Sequence, residues 1–342
     1  MIITIIAAIF VFGVIVAFHE FGHFIMAKAM DMRVDEFSIG FGPALWSKRK
    51  GETLYAVRCV PLGGYNRIAG MEPDALTDDP RLFSAKPVWK RFLVIAAGAI
   101  FNFILAIVFY FFILASYGLP QALPGTTIGK VLPDSPAAMA HMEVNDRILT
   151  ISGKPVKEWK EISPALKGQT GHIVPITVER NGQVETLTLV PKEEDGRTVI
   201  GILEAFTHEP RPIGQAAIQS LTMTWRILEE MGAGLYMMVT HHESGDVAGP
   251  LGVAQMAGQV AQSGWINLLL FTALLSLNLG LINLLPIPVL DGGYLVLLIL
   301  EGIRRKALPP KALAYIQMTG MTLLILLFIY ATSNDIIRIW AQ

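Results

Sequence analysis

Hydrophobic and polar positions divide the chain into long apolar runs separated by more polar segments. Four runs are long enough, or nearly long enough, to cross a bilayer core, which needs about 20 apolar residues. The runs are Ile2–Ala27, Phe92–Tyr117, Trp265–Leu300 and Ala312–Ser333. The pattern predicts an α-helical membrane protein with four transmembrane helices, arranged as a first membrane half over residues 1–117 and a second over 248–342. We interpret the first run as a retained helix because it is longer than a signal-peptide core and no basic stretch precedes it.

The polar segment between the first two runs has the composition of short β-strands. Residues 35–39 and 53–60 are rich in β-formers, and Gly40-Phe41-Gly42-Pro43 and Pro61-Leu62-Gly63-Gly64 follow them. Gly and Pro clusters of this kind mark turns at strand ends. The pattern predicts a membrane-associated β-hairpin, and an ordinary solvated loop is equally compatible with it.

Residues 122–207 alternate in a way that indicates a small β-rich domain. Asn181-Gly182, between two apolar-alternating segments, is the strongest two-residue hairpin signal. The predicted strands are 127–132, 147–152, 172–180, 183–190 and 199–203, with a short helix over 156–166. The next segment, 213–243, contains a helix with apolar residues at spacings of three and four. Such a helix suits either a membrane interface or packing on the β-rich domain.

Charge and composition support the membrane assignment and suggest an orientation. Only 16% of the 342 residues are charged, whereas a soluble domain carries about 25%. Lys and Arg are concentrated in the loops between the first two runs and between the last two, and basic loops stay in the cytoplasm. Both termini and residues 118–264 are then expected outside the cytoplasm. The net charge is −1 and no basic cluster with interleaved aromatics is present, so nucleic acid is not an expected partner.

The first apolar run ends in HEFGH, with three titratable groups at His19, Glu20 and His23. Two histidines four residues apart lie on one face of a helix and can bind one metal ion. This spacing, with a glutamate after the first histidine, is the signature of zinc hydrolases. A charged group at the bilayer centre costs roughly 2.5–3.5 kcal/mol even on translocon scales, so such residues are functional by default. The alternative is a histidine pair satisfied by neighbouring helices. His241 and His242 lack this spacing, and we interpret them as surface residues.

A catalytic zinc takes three protein ligands and keeps one open position. The second and fourth runs contain no charged residue, histidine or cysteine, and the third contains one carboxylate, Asp291. Elimination therefore indicates Asp291 as the third ligand. Pro286 and Pro288 break the helix just before it, and irregular backbone at membrane depth is tolerated where it lines a cavity or is buried in protein. The alternative is that Asp291 only caps a helix.

These motifs together resemble the site-2 protease family of intramembrane zinc metalloproteases, in particular its bacterial RseP type. The resemblance rests on HEFGH and NLLPIPVLDG, and is supported by GFGP at 40–43, PLGGY at 61–65 and GAIFN at 98–102. IGKVLPDSPAAMA and NDRILTISGKPVKEW are similar to one PDZ domain, although His141-Met142 and Asn145-Asp146 replace the usual Gly-Leu and Gly-Asp.

The resemblance implies a function for most of these residues. Zn²⁺ is held by His19, His23 and Asp291, and Glu20 is the general base. Asn283 and Asn102 are candidates to hold the substrate backbone or the oxyanion, with a structural role left open for Asn102. Backbone groups around Gly40, Phe41 and Gly42 are candidates to pair with an unwound substrate strand.

The resemblance also implies a cellular setting and a class of substrates. The protein is expected in the bacterial inner membrane, with its active site nearer the cytoplasmic side. Expected substrates are membrane proteins with a single transmembrane segment, such as a trimmed anti-sigma factor or remnant signal peptides. The PDZ-like domain would dock peptides or act as a size filter. Two rival functions are a metal transporter, which needs further ligands along a path, and a catalytically inactive scaffold, which does not need Glu20.

Overall fold

The computed structural model of the chain describes residues 1–71, 79–194, 196–241 and 249–340. Nine α-helices occur in the described residues: α1 Ile2–Ala29, α2 Val88–Ser116, α3 Pro136–Met139, α4 Ile162–Leu166, α5 Ile213–His241, α6 Pro250–Gln262, α7 Trp265–Asn283, α8 Asp291–Arg304 and α9 Pro310–Trp340. Twelve strands occur in the same residues: β1 Val34–Lys50, β2 Thr53–Ile68, β3 Pro120–Ala122, β4 Ile128–Val131, β5 Arg147–Ile151, β6 Lys154–Pro155, β7 Val174–Arg180, β8 Gln183–Leu189, β9 Lys192–Glu194, β10 Arg197–Val199, β11 Ile202–Glu204 and β12 Phe206–His208.

The chain forms two compact units. The helical unit consists of Met1–Ala115 with Pro212–Gln342, and the β-rich unit is Ser116–Arg211. In the described residues, four helices are long and apolar enough to cross a membrane, over Ile2–Ala29, Val88–Ser116, Trp265–Asn283 and Lys311–Arg338. Each coincides with one of the four apolar runs, and the protein is an integral membrane protein by this criterion.

The hydrophobicity of the third apolar run predicts one transmembrane helix over 265–300, but the structure divides the run into two helices, at the break that Pro286 and Pro288 predict. α7 ends at Asn283, and α8 begins at Asp291. Pro286 and Pro288 lie in the break and cannot donate the backbone hydrogen bonds that a continuous helix requires. The 19 residues of α7 extend about 28 Å at 1.5 Å per residue, which nearly spans a hydrocarbon core by itself.

Helix α6 was not predicted from the hydrophobic pattern. Its Ala257 packs with Ala7, Val11 and Leu105 in one buried cluster. Two N–H groups at its amino-terminal end are satisfied from α9, because the buried carboxylate of Asp335 accepts hydrogen bonds from Gly249 N at 3.0 Å and Gly252 N at 2.8 Å. The helix is short and rich in small residues, so it lacks the long apolar run that marks the other helices of the unit.

The amphipathic helix α5 packs on α2 and α7 through one side. Met223, Ile227 and Met231 lie against a cluster formed by Tyr110 and Leu277 with neighbouring alanines. Ala216, Ser220 and Thr224 are buried, whereas Ile218, Leu221 and Trp225 are exposed. Small residues let membrane helices approach closely, and they lie on the packed side of α5 together with Met223, Ile227 and Met231, whereas its opposite side presents apolar side chains to the outside.

The strands β1 and β2 form a sheet that folds back on itself beside α1. Residues 36–39 have Cα partners at both 64–67 and 54–57, and residues 44–50 pair with 53–58. The bend in β1 contains Gly40 and Gly42, whose φ angles are +89° and +83°. Positive φ is readily adopted by glycine, so the GFGP motif allows one long strand to reverse its curvature.

The β-rich unit has its own core, built from alternating residues of β5, β7 and β8 with the helix α4. Strands β6, β5, β7 and β8 are adjacent in that order, and β11 pairs with β4. Ile148, Ile176 and Val178 are fully buried there. The predicted strands at 127–132, 147–152, 172–180 and 183–190 coincide with β4, β5, β7 and β8, and the predicted segment 199–203 falls across β10 and β11. The predicted helix over 156–166 is shorter, because residues 159–161 form a 3₁₀ turn before α4.

Two residues that replace glycine in the PDZ-like pattern adopt the backbone conformation that glycine favours. His141 has φ +58° and Asn145 has φ +76°. Asn and His are enriched several-fold among non-glycine residues in this region. The substitutions in the motif therefore preserve the local backbone path.

A buried ion pair fixes the loop that contains these residues. Nη2 and Nε of Arg180 donate to the two carboxylate oxygens of Asp146 at 2.7 and 2.8 Å, and Glu143 N donates to the same carboxylate at 2.9 Å. Burial alone would raise the pKa of Asp146, but the hydrogen bonds from Arg180 and Glu143 outweigh it and lower the pKa. The charged form of Asp146 thus stabilises the unit.

We predict that Asp146→Asn lowers the free energy of unfolding of residues 116–211 by roughly 3–5 kcal/mol at pH 7, because Arg180 loses its buried partner. The contribution of Asp146 is present above its unfolded-state pKa of about 4 and disappears as the pH falls through the lower folded-state pKa. The gap between wild type and variant should therefore close in strong acid. Pulse proteolysis in urea on the full chain measures the unfolding.

Glu185→Gln is the matched control, since this exposed carboxylate lies 3.9 Å from the same guanidinium and exposed pairs contribute about 0–1 kcal/mol. Equal losses in both variants would contradict a special role for Asp146.

Candidate metal centre

Two consecutive turns of α1 place His19 and His23 side by side. Their Nε2 atoms are 3.2 Å apart, and the rings meet edge to face with centroids 4.8 Å apart. Both side chains are buried. The helical spacing predicted that the imidazoles share a face, and the structure adds that both Nε2 atoms are directed at one point.

Asp291 reaches the same point from α8. Its Oδ2 lies 3.3 Å from Nε2 of His19 and 3.3 Å from Nε2 of His23. Asp291 begins α8 immediately after the proline-containing break, so the break turns the chain and lets the first side chain of the helix project towards α1. Among the residues that the structure describes, His19, His23 and Asp291 are the one group with the donor types and spacing of a metal site.

The donor set fits a metal ion better than a hydrogen-bonded cluster. Oδ2 of Asp291 is buried and has no hydrogen-bond partner within the described residues. A buried acceptor without a partner costs about 1–3 kcal/mol. Two imidazole nitrogens and one carboxylate oxygen are the ligands of catalytic zinc sites, which leave a fourth position open.

The backbone of α2 holds His23 in a tautomer suited to such a site. Nδ1 of His23 donates a hydrogen bond to the carbonyl oxygen of Val94 at 2.9 Å. Because a carbonyl only accepts, the proton is on Nδ1 and the lone pair of Nε2 is free to bind a metal. Metal-binding histidines usually have an outer partner of this kind.

Gly98 allows α2 to pass directly beside the two rings. A Cβ atom added at Gly98 would overlap the imidazoles of both His19 and His23. The first residue of the GAIFN motif therefore provides space for the site. We infer that even alanine at this position would displace the rings.

Glu20 is held by the hairpin. Nδ2 of Asn66, on β2, donates to Oε2 of Glu20 at 2.8 Å and also contacts the Glu20 carbonyl oxygen. The backbone is close as well, since a Cβ at Gly64 would lie 3.2 Å from Cγ of Glu20. The base expected from the HEFGH motif is thus positioned by a strand more than 40 residues away.

The remaining predicted residues lie on three different elements. Asn102 is fully buried in α2, with 0% exposure, and its Nδ2 is 3.4 Å from Nδ1 of His19. Asn283 is the last residue of α7 and is buried. Phe41, between Gly40 and Gly42, has 46% of its surface exposed and stacks on Tyr65.

A polar network that the sequence analysis missed stabilises this bend of the hairpin. Arg58 donates to the Gly42 carbonyl oxygen at 2.7 Å and to Ser38 Oγ at 2.8 Å, and its guanidinium pairs with the buried Glu36 at 2.5 Å. Burial would raise the pKa of Glu36, but hydrogen bonds from Tyr65 and Arg58 lower it. Neither this network nor the contact of Asn66 with Glu20 has a sequence motif, because both depend on how β1 and β2 fold over α1.

Comparison with known proteins identifies the family of the chain. The model of Peptidase family M50 matches residues 7–327. Zinc metalloprotease RasP of Oceanobacillus iheyensis is 30% identical, with 98% of this chain and 99% of that protein aligned. Regulator of sigma-W protease RasP of Bacillus subtilis is also 30% identical, with the same coverage.

A solved structure resembles a smaller part of the chain. The PDZ domain of the SdrC-like protein from Listeria innocua is 26% identical and covers 25% of this chain and 99% of that domain, with a TM-score of 0.22. At this TM-score the PDZ-like fold of residues 122–207 stays a prediction. The family match extends over nearly the whole chain. The chain therefore belongs to peptidase family M50, the site-2 protease family, and is a zinc metalloprotease.

Proposed function

We propose that this zinc metalloprotease hydrolyses peptide bonds within the transmembrane segments of single-pass membrane proteins, with His19, His23 and Asp291 as the zinc ligands and Glu20 as the general base. The observation that carries the proposal is the meeting of three buried ligand atoms, two Nε2 and one Oδ2, within 3.3 Å. They lie between helices long enough to cross a bilayer. Ionisable groups are costly to bury in an apolar unit, and residues that are retained there despite this cost are functional by default.

Each residue has a separate task in the proposed reaction. A bound zinc ion supplies Lewis acidity, which makes water more acidic and polarises the scissile carbonyl. Glu20 accepts the proton of the attacking water and delivers it to the leaving amine. Asn66 keeps the Glu20 carboxylate in place by donating to Oε2 at 2.8 Å. Asn283, at the end of α7, is a candidate to hold the substrate backbone or the oxyanion.

The hairpin is the proposed binding site for the unwound substrate. A transmembrane helix hides its peptide bonds, and an extended segment in lipid needs partners for its backbone groups. The bend at Gly40, Phe41 and Gly42 can supply such partners by strand addition. Its exposed Phe41 side chain and the fixed Gly42 carbonyl support this assignment.

The distribution of basic residues supports an orientation with residues 30–91 and 304–311 in the cytoplasm. His23 is six residues before the end of α1, about 9 Å along the helix axis. In this orientation the site lies nearer the cytoplasmic face of a bacterial inner membrane. Both termini and residues 118–264 lie on the other side, outside the cytoplasm.

The proposed substrates are trimmed anti-sigma factors or remnant signal peptides, and the name of the relative called regulator of sigma-W protease supports the first of these. The β-rich unit would then select substrates by size or by peptide docking. Its own residues are not required for hydrolysis in this proposal.

We predict that Glu20→Gln lowers kcat on a model transmembrane substrate by about 10²–10⁴-fold, the usual contribution of a general base. Zinc content should stay near that of wild type, because Gln leaves all three ligands in place. Glu230→Gln, on the exposed side of α5, is the matched control and should cut normally. Unchanged turnover of the Glu20 variant would remove the residue from the reaction.

We predict that Asp291→Asn weakens zinc binding at least about 10-fold, because loss of even an outer-shell partner costs 10–100-fold. A neutral amide replaces the anionic oxygen that meets both histidines. Zinc retained after dialysis against a moderate chelator is the measurement, with Asp134→Asn on an exposed turn as the control. If Asp291 only caps α8, Asn should replace it with little effect, and full zinc retention would leave the third ligand unidentified.

We predict that replacing residues 122–207 with a linker of about three residues preserves zinc and peptidase activity but extends cleavage to untrimmed substrates. The geometry favours the deletion, since β3 pairs with β12 through Gln121 and Thr207 and paired strands are about 5 Å apart. Cleavage of trimmed and untrimmed substrates by both proteins is compared on gels. A variant that binds zinc and cuts neither substrate would show that the β-rich unit belongs to the catalytic machinery.

A further inference from the structure

The two histidines of the site differ in what supports them from behind. His23 donates its Nδ1–H to the Val94 carbonyl oxygen at 2.9 Å. Behind His19 lies the carboxamide of Asn102, whose Nδ2 is 3.4 Å from Nδ1 of His19. Asn102 is completely buried. Its Oδ1 is also buried and has no hydrogen-bond partner in the part of the chain that the structure describes.

The chemistry of a metal-binding imidazole decides which atom of Asn102 should face His19. Nε2 of His19 is directed at Asp291 and His23, so a neutral imidazole that binds a metal through Nε2 carries its proton on Nδ1. That N–H needs an acceptor. Nδ2 of Asn102 is a donor and cannot serve, whereas Oδ1 can. A half-turn of the carboxamide exchanges the two atoms within the same volume.

We propose that Asn102 is a positioning residue that accepts a hydrogen bond from Nδ1–H of His19 through Oδ1 and so holds His19 in its metal-binding tautomer. This gives the unpartnered Oδ1 a function and makes the support of His19 equivalent to that of His23. The inference rests on the proposed role of His19 as a zinc ligand. Asn102 then serves His19, and Asn283 stays the candidate for substrate contact.

The position of Asn102 is fixed by packing on both sides of α2. Its own carbonyl oxygen accepts a hydrogen bond from Ser276 Oγ of α7 at 2.8 Å. Val94 and Asn102 are eight residues apart on α2, which is about 12 Å along the helix axis, so one helix supports both rings. The group that supports His23 is the backbone carbonyl of Val94, which a substitution cannot remove. The group that supports His19 is the side chain of Asn102, which a substitution can remove.

The test compares two replacements of nearly equal size with opposite chemistry. Asn102→Leu removes the acceptor, and Asn102→Asp keeps one. Each is purified as the full chain, its folding is checked by circular dichroism and gel filtration, and its zinc affinity is measured by competition with a chelator. We expect a loss of about 10–100-fold for Asn102→Leu, the usual effect of removing an outer-shell partner, and a value within about threefold of wild type for Asn102→Asp.

A control variant separates tautomer control from general packing. Ser276→Ala removes the neighbouring buried hydrogen bond without touching His19, and its zinc affinity should equal that of wild type. If Asn102 only packs, a buried carboxylate should be tolerated no better than leucine, so equal losses in both variants would overturn the proposal. Wild-type zinc affinity in Asn102→Leu would overturn it as well. Should Asn102→Asp fail to fold, Asn102→Ser supplies a hydroxyl acceptor, and it must retain more zinc than Asn102→Leu.

Asp291→Asn in the same assay separates this inference from the proposed site. Zinc loss in Asp291→Asn with full retention in Asn102→Leu refutes the role of Asn102 alone. Retention in both variants refutes the role of Asn102 and also removes Asp291 from the ligands, which leaves the third ligand unidentified.

Discussion

Two imidazoles and a carboxylate meet in the apolar interior of the helical unit, and much of the surrounding structure serves to make that arrangement stable. Oδ2 of Asp291 has no hydrogen-bond partner in the described residues and lies 3.3 Å from both Nε2 atoms. Polar groups buried in this way are costly unless they are paired or bind a metal. In the proposed site, a zinc ion, the cofactor of this protease family, would bind all three groups together. The site and the packing of α1 against α8 are therefore energetically coupled.

α2 is the element that makes the convergence possible. Gly98 provides the space in which the two rings lie, and the Val94 carbonyl fixes the tautomer of His23. One helix with no charged residue from Phe92 to Ser116 thus contributes a gap, a backbone acceptor and a buried amide. Outer-shell groups of this kind commonly change metal affinity as much as 100-fold, so we expect zinc affinity to depend on these α2 groups as well as on the three proposed ligands.

The hairpin connects substrate binding to the base in the proposed mechanism. Asn66 on β2 contacts Glu20, while Arg58 on the same strand fixes the Gly42 carbonyl at the bend. β2 therefore contacts the proposed base through Asn66 and the proposed substrate-binding bend through Arg58. A substrate strand that adds to this sheet would meet a surface whose backbone is already ordered, which lowers the entropic cost of binding. The β-rich unit has a separate core around Ile148, Ile176 and Val178, and this independence agrees with a role in selection.

Much of the architecture can be predicted from the sequence because it depends on local patterns. Apolar runs locate the four long helices, since a bilayer requires about 20 apolar residues at each crossing. The helical period places His19 and His23 on one face, and prolines mark the break before Asp291. The main strands of the β-rich unit are predicted by the alternation of apolar and polar residues, and Asn181-Gly182 predicts the hairpin turn between two of them. The short helix α6 was not predicted because it has no long apolar run. Its small residues matter for close packing against α1, which the sequence pattern of α6 alone does not show.

The sequence by itself determined which residue types are available for the site, and elimination indicated Asp291 as the third member. Only the tertiary structure decided what surrounds them. Asn66 donates to Glu20, and the amide of Asn102 lies behind His19 rather than on an accessible surface. These contacts join residues 46 and 83 positions apart. They depend on distances between packed elements, and periodicity within one element contains no information about such distances.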